Sequence, residues 1–411
     1  MLGLGKVIEM DAVENMRIGI VSDVFPPTSI GGMERYLDGL TRKLNERGVK
    51  TYVITGGYGK KSTEKKGNLT IYRRPFMDRS LKDDQRRKGR KLFNFLEKLI
   101  DKRGIDIIEA ENLYKRYSFG FGLAVNMASF NTGIPLILRM HSDCSNSLDE
   151  SLLKHLLWTK VIGVSQYITE HAYKVGVPVR KLLTVYPGVD THAFRPDLGK
   201  EWLRSRIDVS SNDILILCAT RLVTTSRSLL EEKGITTLLK AFSIVCQRYK
   251  DLKLLIAAAL PPSKFRKYFD NTVEKIYDLA KVNDIDDKII IKSFGLEEMP
   301  FVYNGSDIFV LASRRESFGL CYAEAMSCGL PVIGTTVGAI PEVIRDARNG
   351  YLVEPDHPVE LARRIGVLIE KPKRRKLFGK RGRKIVLQKF DLEMMVEKTL
   401  KIFRSCVEKK R

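Results

Sequence analysis

Cysteine is scarce: six residues at 144, 218, 246, 321, 328 and 406, with no C-x-x-C pair. That spacing excludes a disulfide-stapled scaffold and a zinc ribbon, and it fits a reducing cytosol. Long apolar runs are missing too. The most apolar stretches, residues 214–219 and 254–260, are strand-sized and far short of the ~20 residues of a membrane-spanning helix. Glu9, Asp11 and Glu14 interrupt any signal-peptide core, so export is not expected. No internal repeat or low-complexity tract occurs, and 44% hydrophobic residues in 411 is too many for a disordered chain. Two domains with ample cores are expected. Acid is the last shortage, with 49 Asp and Glu against 71 Lys and Arg, a net charge of +22.

The surplus of cations gathers in two places. Residues 60–91 hold 13 Lys or Arg against 4 acids, and residues 371–384 (KPKRRKLFGKRGRK) hold 9 and no acid. Such segments attract nucleic acid, anionic lipid or phosphorylated substrates, or they are solvated faces, and charge alone does not choose. Residues 60–91 also interleave Tyr72, Phe76 and Leu81, with Leu92, Phe93 and Phe95 following. That mixture predicts reversible attachment to an anionic membrane through Arg86, Arg87, Lys88, Arg90 and Lys91. The expected location is cytoplasmic, with peripheral binding to the inner face of the cell membrane. No zinc-finger, RRM or KH pattern supports a nucleic-acid partner.

Residues 17–23 (RIGIVSD) predict a strand running into the turn Gly31-Gly32. Met33, Tyr36, Leu37, Leu40 and Leu44 then recur at helical spacing until Gly48. Further strands are predicted at 51–55, 105–109, 135–140 and 161–164, and a second cycle at 214–219, 252–258, 289–292, 308–311 and 331–334. Strands alternating with helices predict parallel sheets covered on both faces. The expected fold class is α/β, two Rossmann-like domains facing an interdomain cleft, where ligands of open parallel sheets collect. The expected limits are 1–192, 193–388, and a C-terminal helix in 389–411 that crosses back to the N-terminal domain.

The stretch SRRESFGLCYAEAMSCG at residues 313–329 is the richest in chemistry. A strand enters a loop at Glu316, and a helix is predicted from about Phe318 to Gly329. Backbone N–H groups of Phe318, Gly319 and Leu320 at a helix start suit a phosphate or sugar oxygens, and Gly319 permits close approach. Glu316 and Glu324, two helical turns or roughly 12 Å apart, could hold two parts of one extended ligand. His141 follows an apolar strand and so sits at its carboxyl end. The other histidines form no metal-ligand spacing, and Asp284-Ile285-Asp286 falls in a polar turn, so no metal is expected.

This pattern, E-S-F-G-L-x3-E followed by Gly329-Leu330-Pro331-Val332-Ile333, resembles the E-x7-E segment of the retaining GT-B glycosyltransferases, family 4 in particular. Gly31-Gly32-Met33-Glu34-Arg35, Pro187-Gly188-Val189-Asp190 with Phe194, Ser306-Asp307-Ile308, Val337-Gly338-Ala339-Ile340-Pro341-Glu342 and Asn349-Gly350 stand in the family order. Ala339 occupies a usual glycine position. The resemblance implies that Glu324 accepts from the donor ribose, that Glu316 faces the donor sugar, and that the Gly32 backbone approaches the diphosphate. Arg221 and Lys233 would neutralise the leaving diphosphate, which is what metal-free departure needs. Eleven residues separate that pair where the family has few, and Arg227 is an alternative cation. His141 resembles the histidine near the reacting carbon.

The expected activity is therefore that of a metal-independent retaining hexosyltransferase. It moves a sugar from a UDP- or GDP-linked donor to an acceptor hydroxyl, on a lipid or lipid-linked saccharide if the basic segment meets a membrane. No cofactor beyond the donor substrate is implied. A nucleotide-sugar epimerase or a phosphorylase on the same fold is the alternative, and a basic nucleic-acid-binding protein is the alternative of another class.

Overall fold

The computed structural model describes residues 16–27, 31–57, 59–78, 84–223, 229–261 and 263–409. The chain divides into two units: one runs to Gly188 and resumes at Leu392, the other spans Val189–Asp391. These divisions lie four and three residues from the expected 192/193 and 388/389 limits.

In the first unit the described strands are β1 (Arg17–Val21), β2 (Lys50–Thr55), β3 (Ser62–Lys66), β4 (Leu69–Arg73), β5 (Ile107–Glu111), β6 (Leu136–Met140), β7 (Lys160–Gly163) and β8 (Leu182–Thr184). They form one sheet in the order β3-β4-β2-β1-β5-β6-β7-β8. Ile18 lies opposite both Thr51 and Ile107 in parallel register. Among the described strands only β3 runs antiparallel, against β4. The β3–β4 hairpin, turned at Gly67 with φ +59°, is absent from the expectation because β3 (STEKK) has no apolar alternation. It is an edge strand whose charges discourage further pairing.

The second unit holds β9 (Ile214–Thr220), β10 (Leu252–Ala259), β11 (Ile289–Phe294), β12 (Ile308–Val310), β13 (Val332–Thr335) and β14 (Gly350–Val353), ordered β11-β10-β9-β12-β13-β14. Every described pairing in it is parallel. Both units are Rossmann-like, parallel and covered by helices, as the alternating pattern predicts. In such sheets the strands are apolar on both faces, and Ile216, Leu217, Ile256 and Val310 are indeed fully buried.

The helix Gly32–Glu46 buries Tyr36, Leu37, Leu40 and Leu44, and Gly48 (φ +75°) lies just beyond its end. Against it packs the helix Leu392–Glu408, whose Leu392, Met395, Val396, Leu400 and Phe403 enter the same core. Lys43 and Glu393 join the two helices at 2.7 Å. The C-terminal helix is thus part of the first unit's core.

Both basic segments are partly structural. Within 60–91, Arg73, Arg74 and Lys88 are buried, and Lys88 Nζ donates to the Asp78 carbonyl at 2.7 Å. The expected set of exposed cations therefore loses Lys88, and Leu81 lies outside the described residues. In the helix Pro372–Lys389, Arg383 donates to the carbonyls of Phe194, Ser327 and Thr191 at 2.7–3.0 Å, and Arg375 to Leu368 and Ile369. A guanidinium carries five donors in a rigid fork, so it can gather several carbonyls where a lysine would satisfy fewer.

Candidate functional site

In the second unit, the carboxyl ends of β9 and β12 lead into the chemistry. After β12 the chain passes the buried Ser313 and reaches Glu316 in a loop, and the next helix is Leu320–Ser327. The helix therefore starts two residues later than expected. Glu316 belongs to the loop, so the 12 Å helical spacing from Glu324 does not apply. Gly319 adopts φ +90° as N-cap, with the Tyr322 ring only 2.6 Å from where a Cβ would be. Phe318 is buried and packs edge-on against Phe390, 5.3 Å between centroids, so its side chain anchors the loop. Only its backbone, with those of Gly319 and Leu320, is left to meet a ligand.

Two glycines hold the loop from beneath. Gly338 (φ +55°) lies so close to the Glu316 carbonyl that a Cβ would sit 2.0 Å from it, and Ala339 N–H donates to the same oxygen at 3.1 Å. Ala339 itself has φ −91°. The conformation that demands glycine belongs to residue 338, so alanine at 339 costs no strain. Gly234 (φ +65°) packs on the Ala312 carbonyl with no room for a Cβ, the gap being 1.8 Å. That contact sets Lys233 beside the end of β12. Lys233 Nζ lies 3.3 Å from Glu316 Oε2, both side chains being mostly buried. The Glu316 charge, outweighing burial, raises the Lys233 pKa, so the ammonium stays charged at neutral pH.

Glu324 is buried mid-helix, and the Tyr303 hydroxyl donates to its Oε2 at 2.9 Å. Tyr303 is a site residue missed from the sequence, because nothing near Glu324 in the chain points to it. Arg221 is exposed just beyond β9. Arg227 lies outside the described residues. A cavity of about 480 Å³ lined by Lys200, Asp307, Gly329 and Arg375 opens at the amino ends of β12 and β13, away from these groups.

In the first unit, Gly32 opens the helix Gly32–Glu46, and a Cβ on it would meet nothing within 4 Å. His141 follows β6, its N–H donating to Asn112 Oδ1 at 2.7 Å and its Nε2 lying 2.6 Å from Glu111 Oε2. The Tyr36 ring meets the imidazole edge-on at 5.0 Å. Glu109 and Glu111 alternate on β5 and so share a face, where Arg139 donates from Nε to Glu109 at 2.7 Å and from Nη2 to Thr399 at 3.2 Å. All three side chains are fully buried.

Burial pushes the Glu111 carboxyl up to about 8 and Glu109 upward also, against the pull of Arg139. Burial and then the Arg139 charge press His141 down to about 3. One guanidinium balances one carboxylate in a cluster this dry, and Glu109, bonded to it directly, takes that part. Glu111 is then the protonated acid and donates to Nε2 of a neutral imidazole, which leaves the ring proton on Nδ1. The i, i+2 pair of acids in an otherwise apolar strand was the available signal for Glu111.

Comparison with known proteins bears on the class of protein. The family profile "Glycosyl transferases group 1" matches residues 214–385, and "Glycosyltransferase Family 4" matches residues 30–193. An uncharacterised glycosyltransferase of Methanocaldococcus jannaschii is 23% identical over 96% of this chain and 99% of its own length. The GDP-mannose-dependent alpha-(1-6)-phosphatidylinositol monomannoside mannosyltransferase of Mycolicibacterium smegmatis is 26% identical over 54% of this chain and 56% of its own. Among solved structures, Anabaena HepE, crystallised with UDP and glucose, superposes with a TM-score of 0.75 at 18% identity, covering 95% of this chain and all of that one. The two sheets and the matching profiles define a glycosyltransferase of GT-B fold. Within that class the chain belongs to family 4.

Proposed function

We propose that this glycosyltransferase moves a hexosyl group, with retention at the anomeric carbon, from a UDP- or GDP-linked donor to an acceptor hydroxyl. The observation that carries this reading is the Lys233–Glu316 pair at 3.3 Å beside the Gly319 helix start. A cation, a carboxylate and outward N–H groups at strand ends suit a sugar diphosphate. Glu324, held by Tyr303, takes the ribose hydroxyls. Lys233 and Arg221 neutralise the diphosphate as the C1–O bond to phosphate breaks. The acceptor oxygen bonds to C1 from the same face, and its proton passes to a diphosphate oxygen, so no metal is required. For Gly32 and a neutral His141, both in the first unit, roles toward the donor rest on the family resemblance alone. An imidazole kept uncharged can accept from or donate to a sugar hydroxyl without opposing the positive charge that grows on the anomeric carbon.

The UDP and glucose bound by HepE support a nucleotide-sugar donor. The mannoside lipid named for the mycobacterial relative supports a lipid or lipid-linked acceptor. Titration calorimetry with UDP and GDP, followed by a hydrolysis screen of their sugar conjugates, tests the donor reading. Binding of one diphosphate that weakens tenfold or more in Glu324→Ala is expected. Equal affinity in the variant, or no binding of either nucleotide, overturns it. NMR of the released or transferred sugar then reads the anomeric configuration, and an inverted product refutes retention.

A further inference from the structure

The helix Phe119–Thr132 (FGFGLAVNMASFNT) carries no charged residue. It exposes Leu123 (42%), Met127 (53%) and Phe130 (77%). Spaced by four and three, these lie along one helical face. Leu157, 62% exposed, extends the strip, since its N–H donates to Asn126 Oδ1 at 2.6 Å on the flank of the same helix. Soluble proteins seldom leave so many large apolar side chains in a row without a use.

The neighbouring helix Gln85–Arg103 supplies the charge. The two helices touch backbone to backbone: a Cβ on Gly89 would stand 2.5 Å from the Gly120 carbonyl. Their far ends are tied by Asn131 Nδ2 donating to Glu97 Oε1 at 2.9 Å. Arg86 and Arg90 share a helical stripe with Glu97, so they stand on the side of the apolar helix. Arg87, Lys91, Lys98 and Lys102 are exposed further round, against Glu97 and Asp101. An apolar strip edged by cations is complementary to an anionic bilayer, whose headgroup boundary accepts the apolar tips while its phosphates meet the arginines. A second copy of the chain fits less well, because a two-fold contact would bring the like cations together.

We propose that the first unit docks on an anionic lipid surface through Leu123, Met127, Phe130 and Leu157 together with Arg86 and Arg90. Of the segment expected at 60–91 the surface keeps Arg86 and Arg90, whereas its Tyr72 is buried. The cations come from one helix and the apolar contact from the next. The proposal adds a location to the acceptor reading and does not depend on it, because the test contains no sugar.

The full chain is sedimented with vesicles of phosphatidylcholine alone and of phosphatidylcholine mixed with phosphatidylglycerol, at low and high salt. Salt-sensitive binding to the mixed vesicles only is expected. Arg86→Ser/Arg87→Ser/Arg90→Ser/Lys91→Ser lowers the partition roughly 100-fold or more, from about fivefold for each cation lost. Phe130→Ser alone lowers it roughly tenfold or more, and at this exposed position unchanged circular dichroism is expected. Recovery of the wild-type chain in the supernatant under every condition overturns the proposal. So does undiminished binding by Phe130→Ser, or a wild-type dimer in light scattering that Phe130→Ser converts to monomer while vesicle binding is absent.

Discussion

Replacing Glu111 by glutamine keeps the shape of the buried cluster around His141 and removes its titration. In the folded chain this carboxyl is held at about 8 against 4.5 for the free residue. The folded state therefore keeps a proton that the unfolded state has already lost across that window. The stability this contributes is complete below 4.5 and is surrendered as pH rises to 8, at ~1.4 kcal/mol per pH unit. His141 works in the opposite sense: its pKa is depressed from 6.5 to about 3, so its contribution is full above 6.5 and is lost as pH falls. Measuring only between about pH 6.5 and about pH 8.5 separates the two, and the wild-type chain should lose roughly 2 kcal/mol more than Glu111→Gln over that range. Each unit has one tryptophan, Trp158 in the first and Trp202 in the second. Trp158 is buried with its indole N–H on the Leu153 carbonyl. In a Trp202→Phe background its fluorescence during urea unfolding reports the first unit alone. Parallel stability curves for the two proteins would refute the placement of the proton on Glu111.

Other outcomes follow from the second unit. Glu324→Ala should weaken nucleotide binding by about 1.5–3 kcal/mol per charge-assisted hydrogen bond lost, whereas Glu316→Ala should lower turnover with little change in binding, both read from steady-state kinetics on the donor that the screen identifies. Lys233→Ala and Arg221→Ala should each cost roughly 10²–10³ in rate, and wild-type activity should survive EDTA; abolition by chelator with recovery on adding Mn²⁺ would contradict a cation pair as the leaving-group partner. Gly234→Ala must fit a methyl group against the Ala312 carbonyl at positive φ. A loss of about 2–4 kcal/mol is expected from backbone strain and overpacking together, measured through Trp202 in a Trp158→Phe background.

The strands were legible because apolar runs buried on both faces admit few other readings. The runs at 214–219 and 252–258 recur as β9 and β10 with their ends extended by one residue. Strands β3, β4, β8 and β14 were not foreseen: β3 is a charged edge strand with no apolar period, and β8 is only three residues long. Lys233 and Glu316 are 83 residues apart in the chain and meet at 3.3 Å. Their pairing was foreseen only as two roles suggested by a family resemblance. Tyr303 beside Glu324 was missed because partners between helices leave no local mark, and Glu111 because the acids alternating along β5 do not show which residue they meet. The burial of Arg73, Arg74, Lys88 and Arg383 was hidden for a different reason. A count of charges cannot tell a cation that bonds backbone carbonyls from one that faces water.

The return of Leu392–Glu408 to the first unit has a bearing on synthesis. Domains made on a ribosome usually fold in the order in which they emerge. Here the first unit lacks a core helix, and Arg139 lacks its Thr399 partner, until about two hundred further residues have been made. The unit spanning Val189–Asp391 is contiguous and can close earlier. The first half of the chain must wait, with Tyr36, Leu37 and Leu40 uncovered on one side, for a helix encoded at the far end. Such a half is a natural client for a holding chaperone. A truncation that removes Leu392–Glu408 should leave the second unit folded and the first one aggregating.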